Sequence, residues 1–153
     1  MLRVTADRRI EATSPLALNA SVEPEARLVV ANRAEELRTK WLVNFSSKLL
    51  LDFDEAGRLG AIEIVVPIHR WPRSSVRIPA AREMVVLQLC GAPAESATLT
   101  HDEQFNLRRG SASHAVEISF QVNSHFDHWF AIGPNVFAAI RDGALGAISM
   151  RLP

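Results

Sequence analysis

Apolar and polar positions alternate along most of this chain in runs too short for helices. Residues 115–122 (AVEISFQV) put Val116, Ile118, Phe120 and Val122 on one face, the period-two signature of a half-buried strand. Residues 28–31 and 84–90 (MVVLQLC) are continuous apolar or β-branched runs that suit buried strands. The opening LRVTADRRIEA alternates weakly and reads as another strand. Residues 40–45 and 48–53 share this character; DEAGR then turns the chain and LGAIEIVV returns it. Two apolar runs around a short glycine-containing loop predict a β-hairpin, with Gly57 supplying the positive φ. Residues 16–26 and 91–113 read as turn and loop. RAEELRTK is the one stretch with helical character, so a helix over 34–40 would make the fold α+β.

The runs also recur. Residues 41–67 read W-LVNFSSKLLLDFDEAGR-LGAI-EIVVP, and residues 129–153 read W-FAIGPNVFAAIRDGA-LGAI-SMRLP. The second copy is two residues shorter, with the gap at the turn, where insertions disturb packing least. Residues 28 to 41 and 116 to 129 have equal separations. The pattern predicts a mainly β protein of two related halves, packed as one pseudo-symmetric domain. Residues 1–67 form the first half, 68–82 a Pro/Arg-rich connection, and 83–153 the second half. Features in both copies point to architecture, which assigns Trp41 and Trp129 to the core; unshared features are candidates for function.

Composition narrows the class. With 153 residues, 48% hydrophobic and 22% charged, the chain is that of a folded globular protein and not a disordered one. Lysines plus arginines equal aspartates plus glutamates at 17 each, so no global field draws nucleic acid or membrane. The single Cys90 excludes an intramolecular disulfide, and its place in an apolar run predicts a buried, inert thiol. The charged N-terminus lacks a signal-peptide core, and no run approaches the ~20 apolar residues of a membrane helix. A soluble cytoplasmic protein is the expectation.

Residues 22–67, with V-EPEA-RLVV followed by KLLLDFDEAGRLGAIEIV, resemble a small bacterial family known as domain of unknown function 2283. The resemblance centres on LDFDEAGRLGAIEI and covers under a third of the chain; the second half keeps only the LGAI hairpin. It implies a compact β-rich unit, and because members often occur beside toxins, an antitoxin-like role. It implies no catalytic residues.

Candidate chemistry is sparse. Asp52, Asp54, Gly57 and Glu63 fall at positions one, three, six and twelve of a calcium loop, with Leu59 at the apolar eighth. Ala56 leaves position five without a ligand and the flanks are strand-like, so a hairpin with a solvated acidic turn is the better account. His114, His125 and His128 are the only metal-ligand candidates, with Asp127 or Glu117 to complete a set. Along a strand, residues three apart face opposite ways, so no metal and no cofactor is expected. A Gly-x-Ser-x-Gly elbow and a glycine-rich phosphate loop are both missing from the sequence.

The sharpest local feature is basic. Between Glu63 and Glu83 no acidic residue occurs, while Arg70, Arg73, Arg77 and Arg82 gather around Trp71. Arginines beside an aromatic can grip an acidic protein face. These residues predict a non-enzymatic protein-binding module, and the resemblance implies one of the immunity or antitoxin kind. Arg70, Trp71, Arg73 and Arg77 are its contact residues, and Asp54 and Glu55 form a patch of opposite sign. The partner is a toxin or another acidic-faced protein, and self-association stays open. The alternative is a small-molecule- or metal-binding domain, conceivably an enzyme, with its cleft between the halves.

Overall fold

The computed structural model describes every residue except 82, 112, 113, 122–125 and 127. Among the described residues the chain forms fourteen strands, one 3-10 turn over Ile68–Arg70 and no α-helix. Strands β1 (Val4–Arg9) through β6 come first: β2 (Leu18–Val22), β3 (Val29–Arg33), β4 (Thr39–Phe45), β5 (Leu49–Asp54) and β6 (Leu59–Ile64). Then follow β7 (Arg73–Ser74), β8 (Val85–Leu89), β9 (Ala97–His101) and β10 (Asn106–Gly110). The chain closes with β11 (Ala115–Ser119), β12 (Trp129–Gly133), β13 (Val136–Arg141) and β14 (Ala144–Arg151). The fold is mainly β.

Two six-stranded sheets carry most of these strands, in the orders β2-β3-β6-β5-β4-β9 and β7-β10-β11-β14-β13-β12. Apart from β9 and β7, the second order is the first with each strand moved eight places along the chain. β9 joins β4 in parallel, bringing a late strand into the earlier sheet, and β7 joins β10 in parallel. β1 and β8 pair antiparallel as a separate ribbon. Each ribbon strand reaches a hairpin of the other stretch: the Val4 N–H donates to Gly143 O at 3.0 Å, and the Leu89 N–H to Gly57 O at 2.8 Å.

The turns explain the length difference between the copies. Residues 46–48 separate β4 from β5 where 134–135 separate β12 from β13, and 55–57 lie inside the bond from Asp54 N–H to Arg58 O where 142–143 lie inside the Arg141–Ala144 pair, so each turn loses one residue. Gly57 has φ +81° as expected, and the shorter turn places both Asp142 (φ +52°) and Gly143 (φ +74°) in the left-handed region, as two-residue hairpin turns require. Alternation supplies the core: Val43, Phe45, Leu49, Leu51, Ile62 and Ile64 meet Val116, Ile118, Val136, Ala138, Ile148 and Met150 in one cluster. Val4, Leu87 and Leu89 of the ribbon belong to it too.

Four expectations change. Residues 34–38 hold no helix, because Arg33 Nε and Nη2 take the Glu35 and Glu36 carbonyls at 3.3 and 3.1 Å, acceptors that a helix would need. The passages read as turn and loop contain β2, β9 and β10; β2 is an edge strand whose polar Asn19 and Ser21 face solvent. Cys90 is exposed, since the buried run ends at Leu89. Trp41 lies in the core, with its indole N–H shared between Pro93 O (3.0 Å) and Glu95 O (3.1 Å). Trp129 does not share that environment. A β-bulge between Ala131 and Gly133 shifts the rest of β12 by one position, so Trp129 pairs with Ala139 on the outer face and packs edge-on against Phe126. A one-residue slip turns a side chain to the opposite face.

Candidate functional site

The basic stretch is built onto the second sheet rather than hung between sheets. Ile68–Arg70 makes one 3-10 turn, and Arg73 then pairs in register with Arg109 of β10. Arg109 holds the stretch from below: its Nε donates to Trp71 O at 3.1 Å, its Nη2 to His69 O at 3.3 Å, and its backbone N–H to Pro72 O at 2.9 Å. Arg70, Arg73 and Arg77 are all exposed, and no ion pair joins them to a described residue.

Trp71 differs from its expected surface role. It is 2% exposed, belongs to the core cluster, and donates its indole N–H to Val66 O at 2.7 Å. A ring that deep offers a partner little area; what it does is pin the basic stretch to the body of the protein. Next to it lies a groove of about 290 Å³, walled by Val66, Trp71, Phe105 and Leu107, with Lys48 and Arg70 exposed on its lining. Glu103 also lines this groove, and its Oε2 is fully enclosed without a hydrogen-bond partner. A second hollow of about 520 Å³ lies beside Arg27, Arg109 and His114.

Asp54 also departs from expectation. Of the acidic patch expected at Asp54 and Glu55, only Glu55 is exposed; Asp54 is 3% exposed. Its Oδ1 accepts the backbone N–H groups of Ala56 (3.0 Å) and Arg58 (2.9 Å). Its Oδ2 accepts Arg33 Nη1 at 2.7 Å and Arg58 Nε at 2.9 Å. Burial alone would raise its pKa, but the hydrogen bonds from Arg33 and Arg58 and the Arg58 charge outweigh that and hold it below the ordinary value. The acidic turn is therefore an internally satisfied knot, with no oxygen of Asp54 left for calcium. Asp52, half-buried on the outer face of β5, is raised by burial, partly offset by the hydrogen bond that Thr39 donates.

His114 is exposed, with Nδ1 3.2 Å from Pro153 O, and exposed His128 lies against Phe130. His125 falls outside the described residues. Among the described residues, no three His, Cys, Asp or Glu side chains group to hold a metal ion. No described helix is long and apolar enough to cross a membrane. No protein-family model matches the chain, and no curated protein matches it.

The sequence reading missed Lys48, Glu103, Phe105 and Leu107 as site residues. Three of them lie in 91–113, which looked like loop; the available signal was Phe105 and Leu107 two apart beside an acidic run.

Proposed function

We propose that this protein is a non-enzymatic protein-binding module, of the immunity or antitoxin kind, that grips an acidic face of a toxin. The observation that carries the reading is Arg70 and Arg73, exposed and without ion pairs to described residues on a stretch fixed by Trp71 and Arg109, with exposed Arg77 just beyond it. A guanidinium on a fixed backbone loses little freedom on binding and can engage carboxylates bidentately. Trp71 supports this surface from within. The likeness of residues 22–67 to a bacterial family found beside toxins supplies the immunity or antitoxin part, and with it a bacterial, cytoplasmic setting.

The test is native mass spectrometry of the protein isolated from its own host. The expected result is a stoichiometric second polypeptide. Charge reversal of Arg70, Arg73 and Arg77 to Glu should weaken that complex by at least about tenfold and leave the melting temperature unchanged. A protein that comes out bare, or a complex indifferent to the triple reversal, removes the reading.

A further inference from the structure

A sheet edge carries backbone N–H and C=O groups with no ladder partner, and most edges of this fold are closed from within. Asn135 bonds both backbone groups of Ala20 on β2. β12 is met by the approach to β8, where Met84 bridges Ala131 and the Ala131 N–H donates to Glu83 O at 3.0 Å. β7 is two residues long, and each ribbon strand is met by a hairpin. β9 differs. It is a five-residue edge strand paired on one side only, along β4, and among the described residues no backbone hydrogen bond outside that ladder reaches residues 97–101. It also lacks the proline, lysine or bulge that usually blunts an edge.

The side chains and charges around β9 define what completes it. Ala97, Leu99 and His101 are half-buried, with Ala97 and Leu99 against the core and the His101 ring 5.3 Å from Phe45. Thr98 and Thr100 are exposed on the outer face. An added strand therefore sets apolar side chains beside Ala97 and Leu99 and polar ones beside the threonines. Exposed Glu95 lies before the strand and exposed Asp102 after it. Neither joins an ion pair with a described residue, and Lys40 of β4 lies over the Trp41 ring at 4.7 Å instead. A second copy fits poorly. Full-length pairing of two β9 strands, in either direction, gathers carboxylates of both copies at each end, and like charges set against each other destabilise a pair. We propose that β9 takes an extended segment of a protein partner as an added strand, with apolar side chains alternating inward and a lysine or arginine opposite each of Glu95 and Asp102. Arg70, Arg73 and Arg77 lie outside this sheet, so the docking edge does not rest on the basic stretch.

The experiment titrates the isotope-labelled whole protein with the end-blocked peptide KVTVTVTK and follows the backbone amide resonances. Saturable shifts are expected over residues 97–101, with slower solvent exchange of the β9 amides that point away from β4. The peptide EVTVTVTE should bind on the order of tenfold more weakly. Glu95→Lys with Asp102→Lys should reverse that preference, an outcome that misfolding cannot produce. No saturable shift up to about 5 mM KVTVTVTK overturns the proposal. So do shifts that centre away from β9, saturation without slower exchange there, and equal binding of the two peptides by the unaltered protein. β9 amides that shift with protein concentration when no peptide is present would mean that a second copy fills the edge, and overturn it as well.

Discussion

A carboxylate with four hydrogen bonds sets the shape of the first acidic turn. Asp54 gathers two backbone N–H groups and two guanidinium donors, and its partner Arg33 is nearly as buried. Removing one member leaves the other charge enclosed and uncompensated, the costly way to break an ion pair. Asp54→Asn should cost about 3 kcal/mol at pH 7, read by urea denaturation. The pH dependence has a fixed sign. Because folding holds the Asp54 pKa below 3.8, its contribution is complete above that value and is lost as pH falls through the lowered one. The gap between the unaltered protein and Asp54→Asn should therefore narrow in acid; a gap constant from pH 7 to about pH 2 would show that the charge is not what stabilises the turn. Asp52 has the opposite sign: with its pKa raised, its ionisation opposes folding as pH rises through that value. None of this was legible in DFDEAGR, because spacing along the chain cannot show that Arg33, twenty-one residues earlier, closes over the turn.

The strand ends show how an element is finished. β2 is an edge strand, and an open edge invites pairing with another chain. Asn135 closes it in place of a seventh strand: its Oδ1 accepts the Ala20 N–H at 2.9 Å and its Nδ2 donates to Ala20 O at 3.1 Å. One side-chain amide thus imitates one peptide unit. Asn135→Ala should cost about 1–2 kcal/mol in thermal or urea unfolding and release a tendency to self-associate, visible as concentration-dependent elution in size-exclusion chromatography. A variant as stable and as monodisperse as the parent would show the cap to be idle. At this scale the sequence was readable where packing is one-sided. Both hairpin turns carried glycine at positive φ, and Val116, Ile118 and Phe120 lie in the core as their alternation required. It was unreadable where a partner decides: β2, β9 and β10 looked polar because they lie at or near sheet edges, and Trp129 kept its place in the repeat while a β-bulge between Ala131 and Gly133 moved it to the other face.

For the whole molecule, the repeated runs pointed to two stretches of like strand order, and the sheets bear that order twice. What the runs could not reveal is how thoroughly the stretches trade strands. β1 pairs with β8, β9 lies beside β4, β7 lies beside β10, and the two ribbon strands each donate to the opposite hairpin. Such pairings depend on long-range closure, which local patterns do not encode. By contrast, residues 75–81 form no strand, and Ser75, Arg77 and Ala80 are exposed, so the passage between the stretches resembles a site where nicking is tolerated. Cleaving the chain once after Arg77 should leave a particle that elutes at its original size and parts into two pieces only in denaturant; pieces that separate under native conditions would contradict this. The covalent thread through residues 75–81 is then a convenience of synthesis: like two links already closed through each other, the fragments would stay joined with no bond between them, and a gene split at that point would still yield one protein.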